Sequence, residues 1–217
     1  MKRKKSAQHL NKYPDWNSPP CVVEVAKQMG PIDTDPCSSD EANELIGAKK
    51  IFTRQQNGLA REWEGNIWNN PPSSCKNEKG KLTACRRIVK RKIKGVLRFV
   101  ESDQCICGLP KKFWERTAEH ILSGKGEWAF YLMFNIEQMD VLSSCPSPPH
   151  HWQIAFLRRI SYFREGKEGV APPHSSALVF LTKNGSKKKL FREIIEEKAV
   201  EIDRGRRRGW FILCEET

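Results

Sequence analysis

Trp128-Ala129-Phe130-Tyr131-Leu132-Met133-Phe134 is a run of seven apolar residues with no polar break. A strand with one wet face would alternate, and so short a run bounded by charged and polar residues suits a strand covered on both faces. Such a strand needs layers above and below its sheet. Working outward, Ile154-Ala155-Phe156-Leu157 and Ala177-Leu178-Val179-Phe180-Leu181 read as further buried strands. Ile32-Asp33-Thr34-Asp35 reads as a short strand broken at Pro36, Asn66-Ile67-Trp68 as another, and Trp210-Phe211-Ile212-Leu213 as the last. Helical spacing is expected at 22–29, stopped by Gly30, at 38–45, 113–121 and 193–200. Short apolar strands alternating with helices argue an α/β sheet.

The strand at 66–68 runs into Asn69-Asn70-Pro71-Pro72-Ser73. Proline fixes its own φ and pushes the preceding residue out of the helical region, so two prolines after Asn70 make a stiff, extended corner. Such a corner can turn the Asn70 side-chain carbonyl and the Pro71 main-chain carbonyl toward one small volume. Two converging acceptors suit an exocyclic NH2 group on a base, which makes methyl transfer to a nucleobase amine the first expectation. Asn-Pro is also an ordinary turn initiator, and taken alone the tripeptide says little more.

Composition narrows the partners. The chain has 217 residues and a formal net charge of +12, an excess that favours a polyanion. No apolar run approaches the roughly 18 residues a membrane span needs, and Met1-Lys2-Arg3-Lys4-Lys5 leads into no apolar stretch, so neither a span nor a secretory signal is expected. Residues 1–14 read as a basic arm and 15–217 as one domain, with 74–125 as a basic insertion or DNA-contacting segment. Between 76 and 98 ten lysines and arginines face a single acid, Glu78, while Cys85, Ile88, Val89, Ile93, Val96 and Leu97 recur at helical spacing. An amphipathic helix is expected there, its basic face outward. Arg86, Arg87, Lys90, Arg91 and Lys94 are its expected phosphate contacts, which position rather than specify; a merely solvated face is the plainer alternative.

Eight cysteines are scattered along the chain. With no secretory signal expected they read as reduced thiols in an intracellular setting, cytoplasmic in a bacterial or phage host or nuclear in a eukaryote. Cys105-Ile106-Cys107 is tighter than the usual two-residue gap of a zinc knuckle. A metal site drawn from Cys75, Cys85, Cys105, Cys107 and His120 is therefore set behind idle or buried thiols, and no metal is expected.

Several segments, taken in order, carry a resemblance. Asp15-Trp16-Asn17-Ser18-Pro19-Pro20 is followed by Ile32-Asp33-Thr34-Asp35-Pro36-Cys37-Ser38-Ser39, then by Glu41-Ala42-Asn43-Glu44 and Ala48-Lys49-Lys50-Ile51-Phe52-Thr53. Asn57-Gly58-Leu59-Ala60-Arg61-Glu62-Trp63 and Asn70-Pro71-Pro72-Ser73 complete the series. At these spacings residues 15–73 resemble the phage-type (Dam-like) DNA adenine methyltransferase family, and 127–181 resemble its late segments more loosely. The resemblance implies a Rossmann-like, S-adenosylmethionine-dependent methyltransferase sheet with helices on both faces. It also implies double-stranded DNA as partner and S-adenosylmethionine as methyl donor. Asn70, Pro71, Pro72 and Ser73 would form the catalytic corner, with the base flipped out of the duplex. Asp35 is the first choice for holding the donor, with Asp33, Asn43, Ser18 and Pro19 beside it. Asp33 and Asp35 could equally cap the next helix or shape the turn before Pro36.

Two departures stand out. A glycine-rich donor loop of the usual kind is missing. Ser73 also occupies the family's aromatic position, and a ring stacked on a flipped base is worth roughly 1–3 kcal/mol. Either Trp68, Trp152 or another ring substitutes, or the chain is a weakened or inactive relative that binds DNA. Amino methylation of cytosine is the remaining alternative.

Overall fold

A computed structural model of the chain describes residues 17–72, 75–76, 82–83, 88–93, 96–101, 109–133, 142, 151–157, 162–164, 167–168, 175–202 and 212–213. The first helix, α1 (Pro20–Met29), begins with proline at its first position, where the missing N–H is no loss. The Pro19 carbonyl accepts from the amides of Val22 and Val23 at 3.0 and 3.1 Å. Val22, Val23, Val25, Ala26 and Met29 form its buried stripe, and Gly30, at φ 135°, ends it. Strand β1 (Thr34–Asp35) leads to α2 (Asp40–Ile46), whose N-cap Ser39 hydroxyl accepts from the Ala42 amide at 3.1 Å. Gly47 closes α2 in the left-handed region at φ 69°, and β2 (Lys50–Ile51) follows. After one 3-10 turn at Gly58–Ala60 the chain enters β3 (Ile67–Asn69).

The later elements complete a seven-stranded sheet. Helix α3 (Leu109–Leu122) precedes β8 (Trp128–Met133), and β9 (Trp152–Leu157) precedes β12 (Ser176–Thr182). Helix α4 (Gly185–Ile202) precedes β13 (Ile212–Leu213). The strand order is β13-β9-β12-β8-β3-β1-β2. β2, β1, β3 and β8 run parallel, while β12 runs antiparallel to both β8 and β9. The whole is a mixed α/β fold built on an open, Rossmann-like sheet.

The seven-residue apolar run explains the layering. Trp128, Phe130 and Leu132 pack with α1 and α4 through Val22, Ala26, Phe191 and Ile195. Ala129, Tyr131 and Met133 pack on the opposite face with Phe113, Trp114, Ala118 and Ile121 of α3. Every residue of β8 is buried, because side chains that alternate between faces meet a helix on either side. The turn after β12 and the first turn of α4 each close a helix. The Lys183 ammonium donates to the Leu122 carbonyl at the end of α3, and that of Lys187 to the Met29 carbonyl at the end of α1, at 3.1 and 3.0 Å. Cations there complement the negative helix ends.

The basic segment corrects an expectation. In place of an amphipathic helix the chain forms two antiparallel hairpins, β4 (Cys75–Lys76) with β5 (Leu82–Thr83) and β6 (Ile88–Ile93) with β7 (Val96–Glu101). The apolar spacing fits either period over so short a run. Ile88, Val89, Ile93, Val96 and Val100 are β-branched, which favours strands, and only Lys94 and Gly95 separate β6 from β7. The basic helical insertion is therefore a hairpin pair followed by a core helix, since α3 falls inside 74–125 and packs on the sheet. Lys90 and Arg91 lie on β6, while Arg86, Arg87 and Lys94 lie outside the described residues, as do the arm at 1–14 and Ser73. A further short hairpin pairs β10 (Phe163–Arg164) with β11 (Lys167–Glu168). No helix among the described residues is long and apolar enough to cross a membrane.

Candidate functional site

From β1 the chain passes through α2 to β2 on one side, then crosses back to place β3 on the other side of β1. Connections leave β1 and β3 in opposite directions, and the carboxyl ends of two such strands open a crevice where ligands of open α/β sheets bind. β1 ends at Asp35 and β3 at Asn69. The two loops at that crevice are thus Pro36-Cys37-Ser38 and Asn70-Pro71-Pro72.

Each loop is fixed from behind. The Cys37 amide donates to Asp35 Oδ1 at 3.1 Å, and the Ser38 amide to the Phe52 carbonyl at 3.0 Å. Gly58 approaches Pro36 so closely that a Cβ there would overlap the Pro36 carbonyl oxygen. On the second loop the Asn70 side-chain amide donates to the Ser18 hydroxyl at 3.0 Å. Ser18 and Pro19 are buried just ahead of α1, so the start of that helix braces the corner. Cys37 joins the loops: its thiol donates to Asn69 Oδ1 at 3.1 Å, and its sulfur accepts from the Asn70 backbone amide. Asn69, fully buried, donates to the Thr117 hydroxyl of α3 at 2.9 Å.

Electrostatics separate the two acids of the β1 segment. Asp35 is 1 % exposed. Burial pushes its carboxyl up to about 7, against the pull of the Cys37 amide and the Ser38 hydroxyl. Burial, reinforced by the Asp35 carboxylate, drives the Cys37 thiol well above its ordinary value, so at neutral pH it is a hydrogen-bonding thiol and a poor nucleophile. Partial burial works against ionisation of Asp33 too. The Asn66 amide at 2.8 Å and the Lys49 ammonium at 2.7 Å more than offset it and hold that carboxyl below its usual value.

The register places Asp33 and Asn43 away from the crevice. Asp33 precedes β1, and its partners Lys49 and Asn66 precede β2 and β3, so all three sit at the amino ends of the strands. Asn43 is occupied at the same end, accepting from the Ala48 amide at 2.8 Å and donating to the Ala48 carbonyl at 3.1 Å. Of the expected site residues, Asp35, Asn70, Pro71, Pro72, Ser18 and Pro19 come together. Asp33 and Asn43 brace the opposite edge.

Neither ring expected to replace the missing aromatic lies free beside the corner. Trp68 is fully buried and packs against Phe130 at 6.1 Å. Trp152 starts β9, level with Leu181 and hence with the amino end of β8, and meets Trp114 edge-on at 5.5 Å. The ring that pairs in register with Asn69 is Tyr131, buried, with its hydroxyl donating to the Pro110 carbonyl at 2.8 Å. Cys37, Asn69, Thr117 and Tyr131 were not legible as site residues. The only signal was the tandem Asn69-Asn70: neighbours on a strand face opposite ways, so one of the two had to turn toward a helix.

Fold and site define an open-sheet α/β protein with a braced Asn-Pro-Pro corner and a buried acid at its switch point. No protein-family model, no curated protein and no solved structure matches the chain.

Proposed function

We propose that this chain is an S-adenosylmethionine-dependent methyltransferase acting on the exocyclic amine of adenine in double-stranded DNA. The observation that carries the reading is the meeting of the Asn70-Pro71-Pro72 corner with Asp35 at one switch point, with Ser18 holding the Asn70 amide. An acid, a hydroxyl and an amide at such a crevice suit a donor that carries an ammonium and ribose hydroxyls. Asp35 would hold those groups, with Ser18 beside it. S-adenosylmethionine, when bound, supplies an activated methyl group.

The chain's own part is to make an aromatic amine nucleophilic. The Asn70 amide nitrogen donates to the Ser18 hydroxyl, which orients the side chain, and Oδ1 would be the atom that accepts from a target N–H. Asn70 Oδ1 and the Pro71 carbonyl accept the amine's two hydrogens and localise its lone pair. This is preorganised electrostatic stabilisation with donors and acceptors exchanged. The stiffness of two prolines keeps both oxygens in place. The net charge of +12 favours the nucleic acid over a neutral substrate.

The test is incubation of the full chain with DNA and methyl-labelled donor, followed by digestion to nucleosides. Label in N6-methyldeoxyadenosine, lost in Asn70→Ala while donor affinity is kept, supports the reading; label in deoxycytidine would move the substrate to the other amine. Ser73 and the core positions of Trp68 and Trp152 favour a second reading, a relative that binds DNA without turnover. Retention of DNA with no label and no donor affinity would select it.

A further inference from the structure

The Asn70 corner is held by two segments far apart in the sequence. Its side-chain amide donates to Ser18, just ahead of α1, and its backbone amide donates to the Cys37 sulfur, on the loop after β1. The first contact orients the side chain. The second fixes the main chain that carries the Pro71 carbonyl, because Pro71 has a fixed φ and Pro72 restricts its ψ.

Cys37 is itself tied down. Its amide donates to Asp35 Oδ1 at 3.1 Å, the Ser38 amide donates to the Phe52 carbonyl at 3.0 Å, and Gly58 abuts Pro36. The Cys37 side chain also meets the Asp35 carboxyl. One residue therefore touches the buried acid of β1 and the Asn70 main chain that follows β3.

The sulfur belongs to a run of hydrogen bonds with a single polarity. The Asn70 amide donates to the sulfur, and the thiol donates to Asn69 Oδ1 at 3.1 Å. The Asn69 amide donates to the Thr117 hydroxyl at 2.9 Å, and that hydroxyl to the Phe113 carbonyl at 2.6 Å. Bonds in such a chain polarise and strengthen one another. Asn69 and Thr117 are fully buried, so solvent does not stand in for a missing member. Without the thiol, Asn69 Oδ1 loses this donor inside the core, and the end of β3 would shift to relieve so costly a loss.

We propose that Cys37 is the positioning residue of this site, setting the Asn70 backbone and the Pro71 carbonyl at a fixed place relative to Asp35. The proposal rests on the methyl-transfer reading, in which Asp35 holds the donor and the corner holds the amine. Alignment of methyl carbon with amine nitrogen then depends on this one side chain. Cys37 acts through Asn70 and forms no bond to the substrate.

Two measurements on the full chain separate this role from the reading beneath it. The first needs no turnover. With isotopically labelled asparagine, amide hydrogen exchange should show Asn70 protected in the natural chain and in Cys37→Ser, which keeps a donor and an acceptor. In Cys37→Ala exchange at Asn70 should be about tenfold faster, as for the loss of one hydrogen bond. The second is kinetic. Cys37→Ala should lower kcat by about a hundred-fold, the cost of displacing a reacting group by roughly 1 Å. KM for DNA and donor affinity should stay as they are, and Cys37→Ser should regain much of the rate. Rapid exchange at Asn70 in the natural chain would overturn the proposal without any variant. Exchange or kcat left unmoved by Cys37→Ala would overturn it too. So would donor affinity and stability falling together with no rescue by Cys37→Ser, the mark of a side chain that only packs. Where the natural chain transfers no methyl group, the methyl-transfer reading fails, and exchange alone decides whether Cys37 sets the corner.

Discussion

Asp35 sits where a carboxylate is least comfortable. It is 1 % exposed and without an ion pair among those seen, yet it stands at the crevice beside Asn70. Its folded pKa of about 7 lies above the unfolded value of 3.8, so the fold binds the proton more tightly than the unfolded chain does. The sign follows: its contribution to stability is fully present below about pH 4 and is lost as pH rises through 7. Asp35→Asn should therefore gain stability over the natural chain as pH climbs from 4 to 8, by up to roughly 4 kcal/mol at a shift near three pKa units. Urea unfolding of both chains across that range measures the difference, and all other titrating groups cancel. The same change should weaken donor binding, and the natural chain's donor affinity should rise with pH through 7. A site that sacrifices stability for an ionisable group is a common mark of function.

Asn70 makes a sharper residue-scale test. Removal of its side chain should cut methyl transfer by about a hundred- to a thousand-fold, the range for loss of one preorganised hydrogen-bonding partner. Unaltered turnover in a label-transfer assay would remove the corner from the chemistry.

Among the elements, the Gly58 turn and the longer hairpin bear on different steps. Gly58→Ala would drive a Cβ into the Pro36 carbonyl, so the crevice loop must shift. A stability loss of about 1–3 kcal/mol is expected by chemical denaturation, as for other overpacked positions. In the hairpin, register sets Arg91 opposite Arg98, with Lys90 beside it in the sequence. Arg91→Glu with Lys90→Glu should weaken DNA binding uniformly across sequences and reduce the salt slope by about one for each phosphate no longer neutralised. An unchanged slope in a fluorescence titration would place the DNA elsewhere.

These elements also mark how far the sequence could be read. The helix at 20–29 was legible as 22–29 from its apolar spacing and the glycine at its end, and β8 from unbroken apolarity. β2 was not, because Lys50-Ile51 is too short to show a period; it exists through pairing with β1. Helix α4 begins at Gly185, eight residues before the expected start at 193, because Asn184 caps it by accepting from the Ser186 amide at 2.9 Å. The lysines at 187–189 oppose the helix dipole and disguise that start. The basic helix failed for a different reason: ten charges hid β-branched residues whose partners lie across a turn. At the site, the corner was legible because proline acts locally. The Cys37–Asn69–Thr117 chain was not, since its bonds join the loop after β1 to β3 and α3, which sequence spacing cannot relate.

For the whole molecule, one sheet carries both the core and the proposed site. Its two cores meet across β8, where Phe130 is fully buried against Trp68, Trp128, Phe180 and Phe191. Phe130→Ala should cost about 3–5 kcal/mol in chemical denaturation, the usual range for an aromatic removed from a packed interior. The crevice depends on that rigidity, because β3, which carries the corner, pairs directly with β8. Braces at the amino ends, from Asp33, Asn43 and His120, leave the carboxyl ends for Asp35 and Asn70. The edge that holds the sheet together is thus distinct from the edge at which the proposed site lies.

The proposed function rests on a donor site at that second edge, and calorimetric titration of the purified chain with S-adenosylmethionine addresses it most directly. The expected result is saturable binding at one site per chain, weakened in Asp35→Asn and retained in Asn70→Ala. No binding by the natural chain at millimolar donor would contradict it.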